Sequence, residues 1–381
     1  MKSKTWITIF MFLIIISLGI CGILVCYVDP YFHYHKPYTE KFFYTLNNER
    51  SQNDGISKNF EYEGLITGTS MCENFKTSDA EMFFGTKFIK VPYSGGTYKE
   101  IDDNIETALE SNNKLQIVIR GLDMGKIIEN KDAMRNDLGE YPTYLYDNNP
   151  FNDVKYLFNK GVILKIIPMI KNNLLNKDSG MTTFDAYANW MKSYQFGVYS
   201  KLFFPNGVNI TNDIPEQREL TDDEKRMVEE NIEENVIKTA LNHSDVDFYY
   251  FITPYSALYW KKQLEEGTYE RQIQAEEIAI EKMLEVENIK LFSINNRYDL
   301  TTDLNNYKDS THYGEWINSL LIRYMHDGKF QLTKGNYKEY LADEELFYKS
   351  FDYYTEFSNQ EDYVDDYYAA EVLKDEIYGG L

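Results

Sequence analysis

From Trp6 to Val28 the chain is almost continuously apolar and free of charge. At about 1.5 Å per residue, a helix of that length just spans a hydrocarbon core of about 30 Å. Beyond it the pattern changes to short apolar runs separated by longer amphipathic stretches. Gly64–Thr67, Phe88–Val91, Leu115–Arg120, Phe248–Thr253 and Ile289–Ser293 have the length and the branched or aromatic content of buried strands. Thr77–Phe84, Tyr98–Glu110, Asp222–Leu241 and Thr268–Glu287 read as helices between them. This alternation predicts an α/β domain built on a parallel sheet. Such a sheet carries its functional residues just beyond the carboxyl ends of its strands.

The same pattern divides the chain. Residues 1–28 form the apolar helix, 29–59 a polar and aromatic juxtamembrane linker, 60–330 the α/β domain, and 331–381 an acidic, Tyr-rich extension. Between about 126 and 245 the alternation is interrupted by a mostly helical insertion, either a lid over the strand ends or passive packing. The extension reads as amphipathic helix or loose acidic surface. In the linker, His33 and His35 fall on one face if the chain is extended. They lack a third partner for a metal site, and an aromatic collar at the lipid interface is the simpler reading.

Lys2 and Lys4 precede the apolar run, whereas its far side opens with Asp29 and has no cation until Lys36. The positive-inside rule then predicts a retained single-pass anchor with the N-terminus cytoplasmic and the bulk of the chain outside. A cleaved signal peptide is the rival, but no small-x-small site follows the run. Cys21 and Cys26 lie inside it, and Cys72 is alone in the remainder, so neither a disulfide framework nor a cysteine metal site can be assembled. An exported chain without disulfides suits a bacterial envelope. The 39 cations against 61 anions give a net charge of −22, which disfavours nucleic acid and anionic lipid as primary partners. Tyr (33) and Phe (23) suit a packed core and carbohydrate stacking equally.

Candidate chemistry falls where the strand pattern predicts it. The first strand runs into Gly68-Thr69-Ser70, where a serine hydroxyl stands at the sheet edge and the Ser70 N–H lies near a helix start, suited to an oxyanion. Capping is the plainer role for such a serine. The second strand runs into Ser94-Gly95-Gly96, whose backbone can approach a ligand closely and supply a second N–H donor. The third runs into Gly121-Leu122-Asp123. Near the end of the domain, Asp309-Ser310-Thr311-His312 offers a base and a carboxylate three residues earlier to orient it. Each motif is weak alone, but Ser70, Asp309 and His312 together are chemically complete.

In this order the motifs resemble the SGNH (GDSL-like) hydrolase superfamily over about residues 60–325. Its members are flavodoxin-like α/β esterases, lipases and acyltransferases with a nucleophilic Ser after strand one, a Gly after strand two, an Asn after strand three and a late Asp-x-x-His. The resemblance implies a doubly wound parallel sheet, Ser70 as nucleophile, the Asp309–His312 pair as base, and Ser70 and Gly95 as oxyanion donors, with no cofactor. Asp123 stands where the family has Asn, and a carboxylate repels an oxyanion; Asn74 or Arg120 is a substitute donor. The architecture is similar to that of membrane-anchored envelope acyl-transfer proteins, of the alginate O-acetylation and teichoic acid D-alanine transfer types. The expected activity is a serine O-acyltransferase or esterase acting on a cell-surface polysaccharide, with a multi-pass membrane acyltransferase as a possible partner. The alternative is an inactive assembly or polysaccharide-binding protein that keeps the fold.

Overall fold

The computed structural model describes residues 3–112, 114–137, 140–147, 149–211 and 213–380. Lys2, one of the two cations expected to orient the anchor, lies outside them. The chain forms two compact units, one comprising Met1–Glu61, Glu110–Asn112 and Asn136–Thr183, the other Tyr62–Leu109, Asn113–Arg135 and Phe184–Leu381.

The second unit is mixed α/β. Its sheet consists of β1 (Gly64–Gly68), β2 (Phe88–Pro92), β3 (Ile117–Leu122), β4 (Asp247–Ile252) and β5 (Ile289–Ser293). All pairings are parallel, in the order β2-β1-β3-β4-β5. All five residues of β1 and of β2 are buried, as continuous apolar strands covered on both faces should be. Ile66, Ile119, Phe251 and Phe292 face a core that also takes side chains from Thr77–Phe84, Glu315–Asp327 and Tyr368–Tyr378. The opposite face includes Arg120, which donates to the Tyr98 carbonyl of the helix Tyr98–Ser111, and Tyr250, whose ring lies against Arg120. β3 starts two residues later than the apolar pattern suggests and runs on through Gly121 and Leu122, because these pair with Phe251 and Ile252 of the longer β4.

The acidic extension is folded. Tyr337, Tyr340, Leu341, Glu344 and Tyr348 form one buried stripe of the helix Tyr337–Ser350, the periodicity of an amphipathic helix. The expected insertion is not one piece: residues 184–245 belong with the sheet, and 136–183 fold with the N-terminal segment.

In the first unit one helix, Ser3–Val28, is long and apolar enough to cross a membrane. The stretch after it is not an extended linker. Asp29 (φ +45°) and Phe32 (φ +60°) turn the chain back sharply. The buried Asp29 carboxylate accepts the N–H groups of His33 (3.0 Å), Tyr34 (2.7 Å) and His35 (3.1 Å) and the Tyr156 hydroxyl (2.7 Å). The histidines therefore do not share a strand face: His33 Nε2 is 3.3 Å from Asp153, and His35 Nε2 is 2.9 Å from the Cys26 carbonyl. The helix Glu49–Asn59 and a two-residue parallel ladder, Phe43–Tyr44 with Gly180–Met181, complete the unit.

Candidate active site

Parallel strands end on one side, and the candidate residues follow those ends. β1 closes at Gly68 with φ +146°, a region L side chains rarely enter. A Cβ there would lie 2.4 Å from Cys72 Sγ, so the turn into Ser70 requires glycine. Thr69 caps the short helical turn Ser70–Cys72 that follows.

Ser70 Oγ is 2.8 Å from His312 Nε2. On the other side of the ring, His312 Nδ1 is 2.9 Å from both carboxylate oxygens of Asp309. The loop carrying this pair is closed by the Tyr307–Tyr313 bridge and pinned to the end of β4, because Ser256 Oγ donates to the Ser310 carbonyl at 2.7 Å. Burial alone would raise the Asp309 carboxyl. The hydrogen bond and charge of the His312 ring, with the N–H groups of His312 and Thr311, outweigh burial and hold it well below the usual carboxylate range. Asp309 therefore stays ionised beside the ring and can stabilise an imidazolium.

Among the described residues, no hydrogen bond within the chain takes the N–H of Ser70 or of Gly95. The glycine turn is held from behind: Lys126 Nζ donates to the carbonyls of Gly95 (2.7 Å) and Gly96 (3.1 Å), and Arg135 Nη1 donates to that of Ser94 (2.5 Å). Gly95 (φ +56°) is the second position that favours glycine, because its backbone is left-handed.

Asp123 follows β3 and is tied to the residue beside the nucleophile, Thr69 Oγ1 donating to Oδ2 at 3.3 Å. The Tyr255 hydroxyl donates to Oδ1. Burial pushes the Asp123 carboxyl up, against the charge of Lys126 and the Thr69 hydrogen bond. The two substitute donors fare differently. Arg120 is spent elsewhere, on Asp102 (3.3 Å), the Asn235 carbonyl (2.7 Å) and the Tyr98 carbonyl (3.2 Å), on the face away from the Ser70 turn. Asn74 Oδ1 accepts the Trp190 backbone N–H (3.1 Å), and its buried Nδ2 has no acceptor among the described residues.

Comparison with family models, with curated proteins and with solved structures finds no match for this chain.

Several contributing residues carry no sequence motif. Trp190 sets its ring edge-on to His312, with centroids 5.8 Å apart. Lys308 Nζ lies 3.7 Å from the Trp190 centroid and 3.9 Å from that of Tyr194, and Tyr194 is half exposed. Beneath the nucleophile's turn, fully buried Lys90 donates to the carbonyls of Glu73 and Phe75, the latter at 2.8 Å. Burial pushes its ammonium down to about 7. The only advance sign of Lys90 was a cation in the middle of an apolar strand. The ring pair Trp190 and Tyr194 lay inside the insertion, where nothing linked it to His312.

Proposed function

We propose that the chain is a serine O-acyltransferase or esterase of the SGNH type, acting on a cell-surface polysaccharide from a single-pass membrane anchor. The observation that carries this reading is the continuous hydrogen-bonded line Ser70–His312–Asp309 at the carboxyl edge of the sheet. The strand order β2-β1-β3-β4-β5 supports it, being that of flavodoxin-like doubly wound sheets.

His312 Nε2 takes the Ser70 hydroxyl proton as Oγ attacks the acyl carbonyl carbon. The carbonyl electron pair moves to oxygen, where the N–H groups of Ser70 and Gly95 receive it. The tetrahedral adduct collapses with loss of the donor's leaving group, which takes the proton from His312 and leaves acyl-Ser70. An acceptor hydroxyl then gives its proton to His312, attacks the acyl-enzyme and departs as the new ester, and Ser70 regains its proton. A sugar hydroxyl in this step gives transfer and water gives hydrolysis.

The second reading, a binding protein without turnover, is favoured by one observation: the Asp123 carboxyl stands where a neutral donor would serve an oxyanion better. Incubation with p-nitrophenyl acetate and an oligosaccharide acceptor separates the readings. The proposal expects a burst of nitrophenol followed by acetylated oligosaccharide. Acceptor binding with no nitrophenol release above the Ser70→Ala background would select the binding protein.

A further inference from the structure

The first unit presents an apolar surface that its own packing leaves uncovered. Lys160, Leu164, Ile167, Lys171 and Leu174 recur at helical spacing along one stripe of Lys160–Leu174, and all five are exposed. Leu164 is 57% exposed, Ile167 55% and Leu174 76%, while Val162 and Ile166 on the opposite side are buried. Just before this helix, Phe151 (87%) and Val154 (53%) are exposed as well.

Two further observations say what covers this surface. One is its place along the apolar helix Ser3–Val28. Within that helix Cys21 and Gly22 are the first half-buried residues, and the Leu157 carbonyl lies 3.9 Å from Cys21 Sγ. Cys21 is seven residues before Val28, a depth of about 10 Å along a helix. Segment 151–177 therefore runs beside the last turns of the span, at the depth to which interfacial helices sink. The other is charge. In a chain of net charge −22, residues 151–177 hold Lys155, Lys160, Lys165, Lys171 and Lys177 against one acid, Asp153. The whole-chain charge conceals this local excess, which suits lipid phosphate rather than repelling it.

We propose that segment 151–177 is a second membrane contact. Its Leu164–Ile167–Leu174 stripe is immersed in the leaflet that receives the C-terminal end of the Ser3–Val28 helix, with the long side chains of Lys160 and Lys171, on the same stripe, reaching up to anionic headgroups. The occupant of the uncovered face is thus the bilayer. This rests on reading Ser3–Val28 as a membrane span, and not on the chemistry of Ser70.

The test places a nitroxide at Leu164→Cys or Ile167→Cys in the full chain, in a Cys21→Ala/Cys26→Ala background, reconstituted into phosphatidylcholine/phosphatidylglycerol vesicles. The remaining thiol, Cys72, is fully buried and pushed up to about 12 by that burial, so it does not take the label. Collision with oxygen, which concentrates in the bilayer, is compared with collision with a water-soluble nickel chelate. Ile15→Cys serves as the reference inside the span, and Leu346→Cys, on a residue 68% exposed in the sheet unit, as the reference in water. The expected result is oxygen-dominated collision at 164 and 167, close to that at 15, with a shift toward the aqueous reference when Lys160→Glu and Lys171→Glu are added. Values at 164 and 167 equal to those at 346, with 15 still in the bilayer, would overturn the inference alone. An aqueous Ile15→Cys label would overturn the spanning reading and the inference with it. Dipolar broadening between labels would assign the face to a second copy of the chain and likewise overturn it.

Discussion

Ser70 and His312 are separated by 242 residues, yet Oγ of one lies 2.8 Å from Nε2 of the other. That approach depends on two local devices. Gly68 turns β1 tightly enough to present the serine at the sheet edge, and the Ser256–Ser310 hydrogen bond ties the histidine's loop to the end of β4. Gly68 and Ser310 belong to the two motifs, but Ser256, which holds Ser310 in place, lies outside both.

Asp309 should matter less than His312 but still severely. Without its base the serine stays a neutral hydroxyl, so His312→Ala should reduce acyl-enzyme formation to near background. Asp309→Asn keeps the loop contacts but loses the charge that favours the imidazolium, and should cost ~10³–10⁴-fold. The pH dependence of stability follows from the lowered carboxyl. A carboxyl depressed in the folded state contributes stability that is full above its unfolded value, about 3.9. That contribution is lost as pH falls through the folded value. Thermal melts of wild type and Asp309→Asn should therefore differ at pH 7 and converge in strong acid.

Lys90 has the opposite sign. Its folded value near 7 lies below the unfolded value near 10.4, so between these the unfolded chain binds more protons and stability rises with pH. The neutral amine still donates to Glu73 and Phe75, so the turn after Ser70 is held throughout. Denaturant titrations at pH 7 and pH 10 should show wild type gaining up to ~4 kcal/mol relative to Lys90→Met across this range. An equal change in both proteins would contradict the assignment.

At Asp123 the outcome distinguishes two roles. An amide there can donate to an oxyanion where a carboxylate repels it, so Asp123→Asn should raise simple ester hydrolysis by ~10-fold or more. If the carboxylate instead positions the acceptor sugar through its Thr69 and Tyr255 contacts, acylation should be unchanged and transfer depressed. Stopped-flow separation of acyl-enzyme formation from its breakdown reads both.

The parts of this molecule legible in the sequence were those set by local periodicity. Five apolar runs gave five strands, and three motifs, two at strand ends and one just before the helix Glu315–Asp327, gave Ser70, Gly95 and the Asp309–His312 pair. What escaped depended on contacts distant in sequence. The turn at Asp29 has no glycine to announce it, and one of the four hydrogen bonds to its carboxylate comes from Tyr156, 127 residues away. Tyr255 reaches Asp123 across 132 residues. Arg120 was legible as a cation at a strand end, but strand alternation points it to the face opposite Ile119 and the Ser70 turn, where Asp102 meets it. Pairing with β4, not the apolar pattern of β3 itself, set where β3 ends.

In the proposed mechanism Ser70 is a nucleophile activated by His312. A fluorophosphonate probe, which phosphonylates activated serines, tests it on the purified full chain when the adduct is mapped by peptide mass spectrometry. The expected result is stoichiometric modification confined to Ser70, abolished in Ser70→Ala and slowed to near background in His312→Ala. Folded protein that remains unmodified, or labelling that persists at the wild-type rate in His312→Ala, would contradict it.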